Sequence, residues 1–181
     1  MITLRAASPA DAGAIAAIYA PHVVDGTASF ETDPPDLYAM LARMAASQGL
    51  YPWIVAAAGG EVVGFAYAAA FHPREAYRWC AETTVYVADG AQRRGVGRRL
   101  YGALIDTLRA QGFTQAVARI ALPGEASVVL HQACGFAPVG VQHAVGYKHG
   151  RWIDVGLWQR ALAEPATPPA EPRRFAEVGL A

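Results

Sequence analysis

Residues 82–112, ETTVYVADGAQRRGVGRRLYGALIDTLRAQG, constrain the fold more than any other stretch of this chain. Thr83, Thr84, Val85, Tyr86 and Val87 are β-branched or aromatic, which suits a strand. An Asp89-Gly90 turn signal follows. From Gly97 onward, Leu100, Tyr101, Leu104, Ile105 and Leu108 fall on one helical face, and Gly112 stands where a left-handed residue would close the helix. The segment therefore reads as strand, turn, glycine loop and helix.

The loop Gln92-Arg93-Arg94-Gly95-Val96-Gly97 carries the first hint of chemistry. Two glycines let the backbone bend tightly and approach a ligand closely. The free N–H groups of a helix's first turn, with the helix dipole, make an anion site suited to phosphate. Arg93, Arg94, Arg98 and Arg99 add positive charge. The plain alternative is a connection that needs glycines only to pack. The loop is not a Walker motif, since no Gly-Lys-Ser/Thr follows, and Leu100 breaks a G-x-G-x-x-G pattern.

The chain is long enough, at 181 residues, for one domain with a sizeable core, and a 54% hydrophobic content excludes a disordered chain. Its 15 basic and 15 acidic residues cancel, so no global charge argues for nucleic acid or a membrane surface as partner. Cys80 and Cys134 form neither a metal-spaced pair nor a disulfide framework, and the histidines show no metal-ligand spacing. Reduced thiols point to the cytoplasm. The N-terminus lacks the apolar core of a signal peptide, and no apolar run approaches the roughly 20 residues of a membrane helix.

Along the chain, residues 2–5 are a short strand candidate. Ser8-Pro9-Ala10-Asp11 opens a helix whose inward face is Ile15, Ile18 and Tyr19. Residues 26–33 form a polar loop carrying Phe30. A second helix starts at Asp33-Pro34, with Leu37, Leu41 and Met44 inward and Gly49 at its end. Residues 53–58 and 62–70 are strands joined through Gly59-Gly60, a hairpin signal. After the central unit come a strand at 116–122, a helix at 127–134 ended by Gly135, and strands at 139–145 and 152–158 around Lys148-His149-Gly150. Pro165, Pro168, Pro169 and Pro172 argue against a packed helix, so residues 164–181 read as a mostly mobile tail behind a domain at 1–163. The order β-α-α-β-β-β-α-β-α-β-β describes an α/β (α+β) domain with one mixed sheet.

Gln92-Arg93-Arg94-Gly95-Val96-Gly97, set between a Val-Tyr-Val strand and a helix, resembles the acetyl-CoA motif of the GNAT N-acetyltransferases, and the element order is the one expected of that fold. The stretches at 76–87, 130–136 and 146–159 resemble the phosphinothricin acetyltransferase branch, so the likeness covers about residues 2–160. Relatives there acetylate the free amine of phosphinothricin, methionine sulfoximine or methionine sulfone. The resemblance implies acetyl-CoA as co-substrate. It implies that amides of Arg93, Arg94, Gly95, Val96, Gly97 and Arg98 hold the pyrophosphate, and that Val85, Tyr86 and Val87 hydrogen-bond the pantetheine arm. Gly124 stands where the family usually has an Asn that helps to hold the CoA arm; Gly124 and Ser127 are carried over as cofactor-contacting positions. A homodimer is likewise expected by resemblance.

Acetyl transfer to an amine needs a proton acceptor, since an α-amino group titrates near 8. Glu82, an acid at the start of an apolar strand, is the candidate base. His131 matches the position where many GNAT enzymes carry a tyrosine acid for the departing thiolate; a buried structural histidine is the alternative. Arg78 and Lys148 are candidates for an anionic substrate group, Arg78 through paired hydrogen bonds. Phe30, Tyr77 and Trp79 are candidate pocket walls. Glu31 has no firm role. Two further readings stay open: a CoA-binding domain without catalysis, which would need neither Glu82 nor His131, and an acetyltransferase for protein N-termini.

Overall fold

The computed structural model describes residues 1–47 and 49–181. Strands β1 (Ile2–Ala6), β2 (Trp53–Ala58), β3 (Glu61–Ala70), β4 (Cys80–Val87), β5 (Gln115–Ala121), β6 (Ala137–Lys148) and β7 (Arg151–Ala161) build one seven-stranded sheet in the order β1-β2-β3-β4-β5-β7-β6. Helices α1 (Ala12–Val24), α2 (Leu37–Ala46), α3 (Val96–Gln111), α4 (Glu125–Ala133) and α5 (Phe175–Val178) complete the chain. Among the described residues no helix is long and apolar enough to cross a membrane.

Side-chain alternation along the strands sorts the core into two layers. On β2, Ile54 and Ala56 join Leu100, Tyr101, Leu104, Ile105 and Leu108 of α3 in one cluster. Trp53 and Val55 join Ile15 and Tyr19 of α1, Met40 of α2 and Phe65 of β3 in the other. The α3 face marked by periodicity is thus the buried one, and Gly112 closes the helix at φ 97°. Ser8 and Asp11 form the capping box ahead of α1, and the Asp11 carboxylate pairs with Arg5 at 2.7 Å, which holds its pKa well below the usual range.

Two expectations need correction. The second helix begins at Leu37, three residues past Pro34, because Asp36 is its cap: the Asp36 side chain accepts from the Ala39 amide at 2.8 Å. Its inward residue is Met40, with Leu41 and Met44 partly buried and Leu37 exposed. The C-terminal segment is docked rather than free. Trp79 Nε1 donates to Ala170 O, Gln111 Nε2 to Arg173 O and the Arg173 amide to Gln111 O. Prolines prevent a helix in residues 165–172, but the carbonyls of Ala170 and Arg173 beside them still accept hydrogen bonds. Beyond them, α5 packs against α3.

One discontinuity in the sheet positions everything that follows. The parallel ladder of β4 with β5 runs only from Cys80↔Gln115 to Glu82↔Val117. Past that point β4 stays paired to β3 through Val87↔Gly64, while β5 pairs β7 through Ala121↔Val155. The two strands splay apart and open a cleft whose apex is Glu82. At the apex the Thr83 hydroxyl lies 3.1 Å from the Val117 carbonyl.

Candidate active site

A cleft follows the outer half of β4. It is lined by Val85, Tyr86 and Val87, by Gln92, Arg93, Gly95, Val96, Gly97 and Arg98 of the glycine loop and the start of α3, and by Gly124 with Glu125, Ala126, Ser127, Val129 and Leu130 of α4. Arg93 (φ 58°) and Gly95 (φ 76°) are both left-handed. This curls the loop so that successive N–H groups face one side, ahead of the free amides at the α3 N-terminus, which makes a concavity for an anion. At Gly95 the left-handed backbone is the reason for glycine. Arg93 and Arg98 reach the cleft; Arg94 is not among its lining residues.

A second cavity meets this cleft at Ala28, Val85, Tyr86, Gly124 and Ser127, which line both. Its walls include Tyr19, Ser29, Phe30, Tyr67, Glu82, Arg119 and His131. The geometry therefore provides an anion-binding cleft that leads along β4 to a second cavity holding an acid.

Glu82 sits at that end, its side chain 26% exposed. Burial pushes its pKa upward, and the nearby Arg119 guanidinium opposes the rise. The Arg119 nitrogen is 3.5 Å from the carboxylate, close enough to feel the charge but too long for a strong hydrogen bond.

His131 lines the same cavity from α4 and is 5% exposed. Its Nδ1 is 2.7 Å from the Ser127 carbonyl, which can only accept, so Nδ1 carries the proton. Nε2, 2.9 Å from Tyr101 Oη, then accepts, and the Tyr101 oxygen accepts in turn from the Thr83 hydroxyl at 2.6 Å. Burial pulls the His131 pKa down, in keeping with a neutral ring. Both nitrogens are thus bonded inward, tying α4 and α3 to the apex of the splay.

Residues 4–157 match the acetyltransferase (GNAT) domain family. This chain belongs to the GNAT family. The phosphinothricin N-acetyltransferase of Streptomyces viridochromogenes is 42% identical over 92% of this chain and 91% of that protein. The L-methionine sulfoximine/L-methionine sulfone acetyltransferase of Pseudomonas paraeruginosa is 40% identical over 88% of this chain and 94% of that protein. The crystal structure of a GNAT phosphinothricin acetyltransferase from Sinorhizobium meliloti, in complex with acetyl-CoA, superposes with a TM-score of 0.89 at 39% identity, covering 94% of this chain and 92% of that one.

Within the GNAT scaffold, the structure separates the expected substrate contacts. Phe30 lines the cavity, its ring packed against Gly146, where any Cβ would collide with it. Lys148 does not line the cavity. Its ammonium is buried and donates to the carbonyls of Val23 at 2.5 Å and Ser29 at 2.8 Å, so it closes the loop that carries Phe30. Arg78 faces the C-terminal segment, 3.5 Å from Glu171 and stacked over Trp79. Tyr77 packs on Phe71 and His72. Neither Tyr77 nor Arg78 belongs to the cavity lining. Sequence spacing places these residues near β4 but not on its cavity face, because the turn Glu75–Tyr77 redirects the chain just before the strand.

Several residues of the site went unmarked in the sequence. Glu31 accepts from Tyr19 Oη at 2.7 Å and takes a two-pronged ion pair from Arg43 at 2.8 and 2.7 Å, while Tyr19 Oη also contacts Ser29 Oγ at 2.6 Å. This network braces Ala28, Ser29 and Phe30, which line the cavity. Arg119, on β5, carried no motif at all.

At Gly124 a side chain has no room. A Cβ there would lie 2.6 Å from Ala121 O and 2.9 Å from Ile120 Cγ2. The backbone entering α4 has closed onto β5, leaving room only for glycine.

Proposed function

We propose that this GNAT enzyme acetylates the free α-amino group of a small amino-acid analogue of the phosphinothricin, methionine sulfoximine or methionine sulfone type. The observation that carries the reading is the junction of the two cavities: an anion-binding cleft leads along β4 to a cavity walled by Glu82, Phe30 and Tyr67. The names of relatives that align over nearly the whole chain support the substrate class.

The residues of the cleft fit acetyl-CoA. The curled loop around Arg93 and Gly95 and the α3 N-terminus suit its pyrophosphate, and the outer half of β4, unpaired on its β5 side, suits its pantetheine arm. When bound there, acetyl-CoA supplies an acetyl group activated as a thioester. Glu82 receives the proton of the substrate ammonium, directly or through a water; its partial burial raises its basicity toward the working range. Phe30 and Tyr67 enclose the acceptor. His131, with both ring nitrogens engaged, holds Tyr101 and the first turn of α4 in place, a positioning role in preference to that of a direct acid.

The enzyme acts in the cytoplasm as a homodimer. Edge strand β6 and its partner β7 expose Val139, Val141, Val145, Tyr147 and Trp152, an apolar surface suited to a second copy.

A thiol-release assay with phosphinothricin, methionine sulfoximine and methionine sulfone, beside an N-terminal peptide and a polyamine, tests the substrate class. Turnover of at least one analogue above the peptide and polyamine is expected. Preference for the peptide would favour the protein N-terminal reading, and no turnover with intact acetyl-CoA binding would favour a binding domain.

A further inference from the structure

Three of the cations near the acceptor cavity are committed elsewhere. Lys148 is spent on two main-chain carbonyls, Arg43 on both oxygens of Glu31, and Arg78 on Glu171 and the Trp79 ring. Arg119 differs. It lines the cavity, its side chain is 51% exposed, and it makes a long ion-pair contact to Glu82.

Its place on the sheet makes that contact informative. Val117 is the last residue of β5 to pair with β4, and its partner is Glu82. Arg119 is two residues further on, so it projects from the same face as Val117, one step toward the mouth of the splay. Acid and base thus stand side by side on the two strands at the point where they part.

An α-amino acid carries its ammonium and its carboxylate on one carbon. That zwitterionic head is the charge complement of an adjacent carboxylate and guanidinium. We propose that Arg119 is the receptor for the acceptor's α-carboxylate, and that substrate binding exchanges the Glu82–Arg119 pair for two substrate pairs: ammonium to Glu82 and carboxylate to Arg119. The inference rests on the amino-acid reading above and reassigns the anion contact expected of Arg78 or Lys148.

Energetically the exchange is favoured. A long, half-exposed ion pair contributes little, so giving it up costs little. A guanidinium–carboxylate contact with two parallel hydrogen bonds is stronger and has a fixed direction. It would orient the substrate about its α-carbon with the nitrogen at Glu82, and would leave the far end of the side chain toward Phe30 and Tyr67. It would also disfavour amines without a neighbouring carboxylate, because they leave the guanidinium without its paired hydrogen bonds.

The test compares methionine sulfone with its C-terminal amide at saturating acetyl-CoA, in the wild type, Arg119→Gln and Arg119→Lys. The wild type is expected to favour the free acid at least tenfold in kcat/KM, mainly through KM. In Arg119→Gln the loss on the free acid should exceed the loss on the amide at least tenfold, a ratio in which the different basicities of the two amines cancel. Arg119→Lys should retain part of the preference, since an ammonium keeps the charge but not the fork. Unchanged acetyl-CoA affinity by calorimetry shows that the variant is folded. Equal losses on acid and amide, or a wild type indifferent to the carboxylate, would overturn the Arg119 assignment alone. A wild type that turns over neither methionine sulfone nor phosphinothricin would overturn the substrate reading, and this inference with it.

Discussion

The Lys148 ammonium lies 2.8 Å from the Ser29 carbonyl, a contact between residues 119 positions apart that holds the far end of the β6–β7 hairpin to the acceptor-cavity wall. Removing it in Lys148→Met leaves two buried carbonyls without their donor, at about 1–3 kcal/mol each. The variant should lose roughly 2–4 kcal/mol of stability in denaturant unfolding. Its KM for the acceptor should rise while acetyl-CoA affinity holds, because the cofactor cleft does not include Lys148. Unaltered stability would show that the contact is not made in solution.

Glu82→Gln keeps the shape of the base and removes its proton acceptor. A general base contributes roughly 10²- to 10⁴-fold, so kcat/KM at neutral pH should fall by about that amount. The sign of the pH dependence follows from burial. The Glu82 pKa is raised, so in the wild type activity should fall as pH drops through a value above the ordinary carboxylate range, where Glu82 gains its proton. The variant should lack that limb, and its deficit should shrink at high pH as the amine ionises unaided. Wild-type rates across the whole range would end the assignment.

Gly97→Trp is the test of the cofactor cleft. A Cβ at Gly97 points toward Leu130, 3.2 Å away, and toward Val87, both of which line the cleft. An indole there should fill the space between the start of α3 and α4. Acetyl-CoA affinity by calorimetry should weaken at least tenfold, about 1.4 kcal/mol. A folded variant with wild-type affinity would place the cofactor elsewhere.

Gly124→Asn restores the residue the family usually carries, yet it should be harmful here. The Cβ alone would overlap Ala121 O. Overpacking of this kind costs about 1–3 kcal/mol, so the melting temperature should drop by several degrees. Acetyl-CoA affinity should not improve. A stable variant with tighter binding would show that the α4 entry is freer than its contacts imply.

Local order was readable from residues 82–112 because strand, loop and helix each leave a short-range trace: β-branched residues, left-handed glycines and a 3.6-residue apolar repeat. The same local signals determined the Gly59-Gly60 hairpin, the Ser8–Asp11 cap and the element order. The position of Glu82 at the head of an apolar strand already singled it out. The tertiary structure decided which charges could serve the site. Lys148, Arg78 and Arg119 are all isolated cations in the sequence, and nothing local distinguishes them. They differ because the hairpin folds Lys148 onto two carbonyls, the docked C-terminal segment offers Glu171 to Arg78, and the splay of β4 from β5 brings Arg119 beside Glu82. The fate of Gly124 was likewise hidden, since the atoms that forbid a side chain there belong to the adjoining strand β5. Periodicity reports which face of an element is buried; the partner of a single charged group is set by residues tens of positions away, which only chain packing brings into contact.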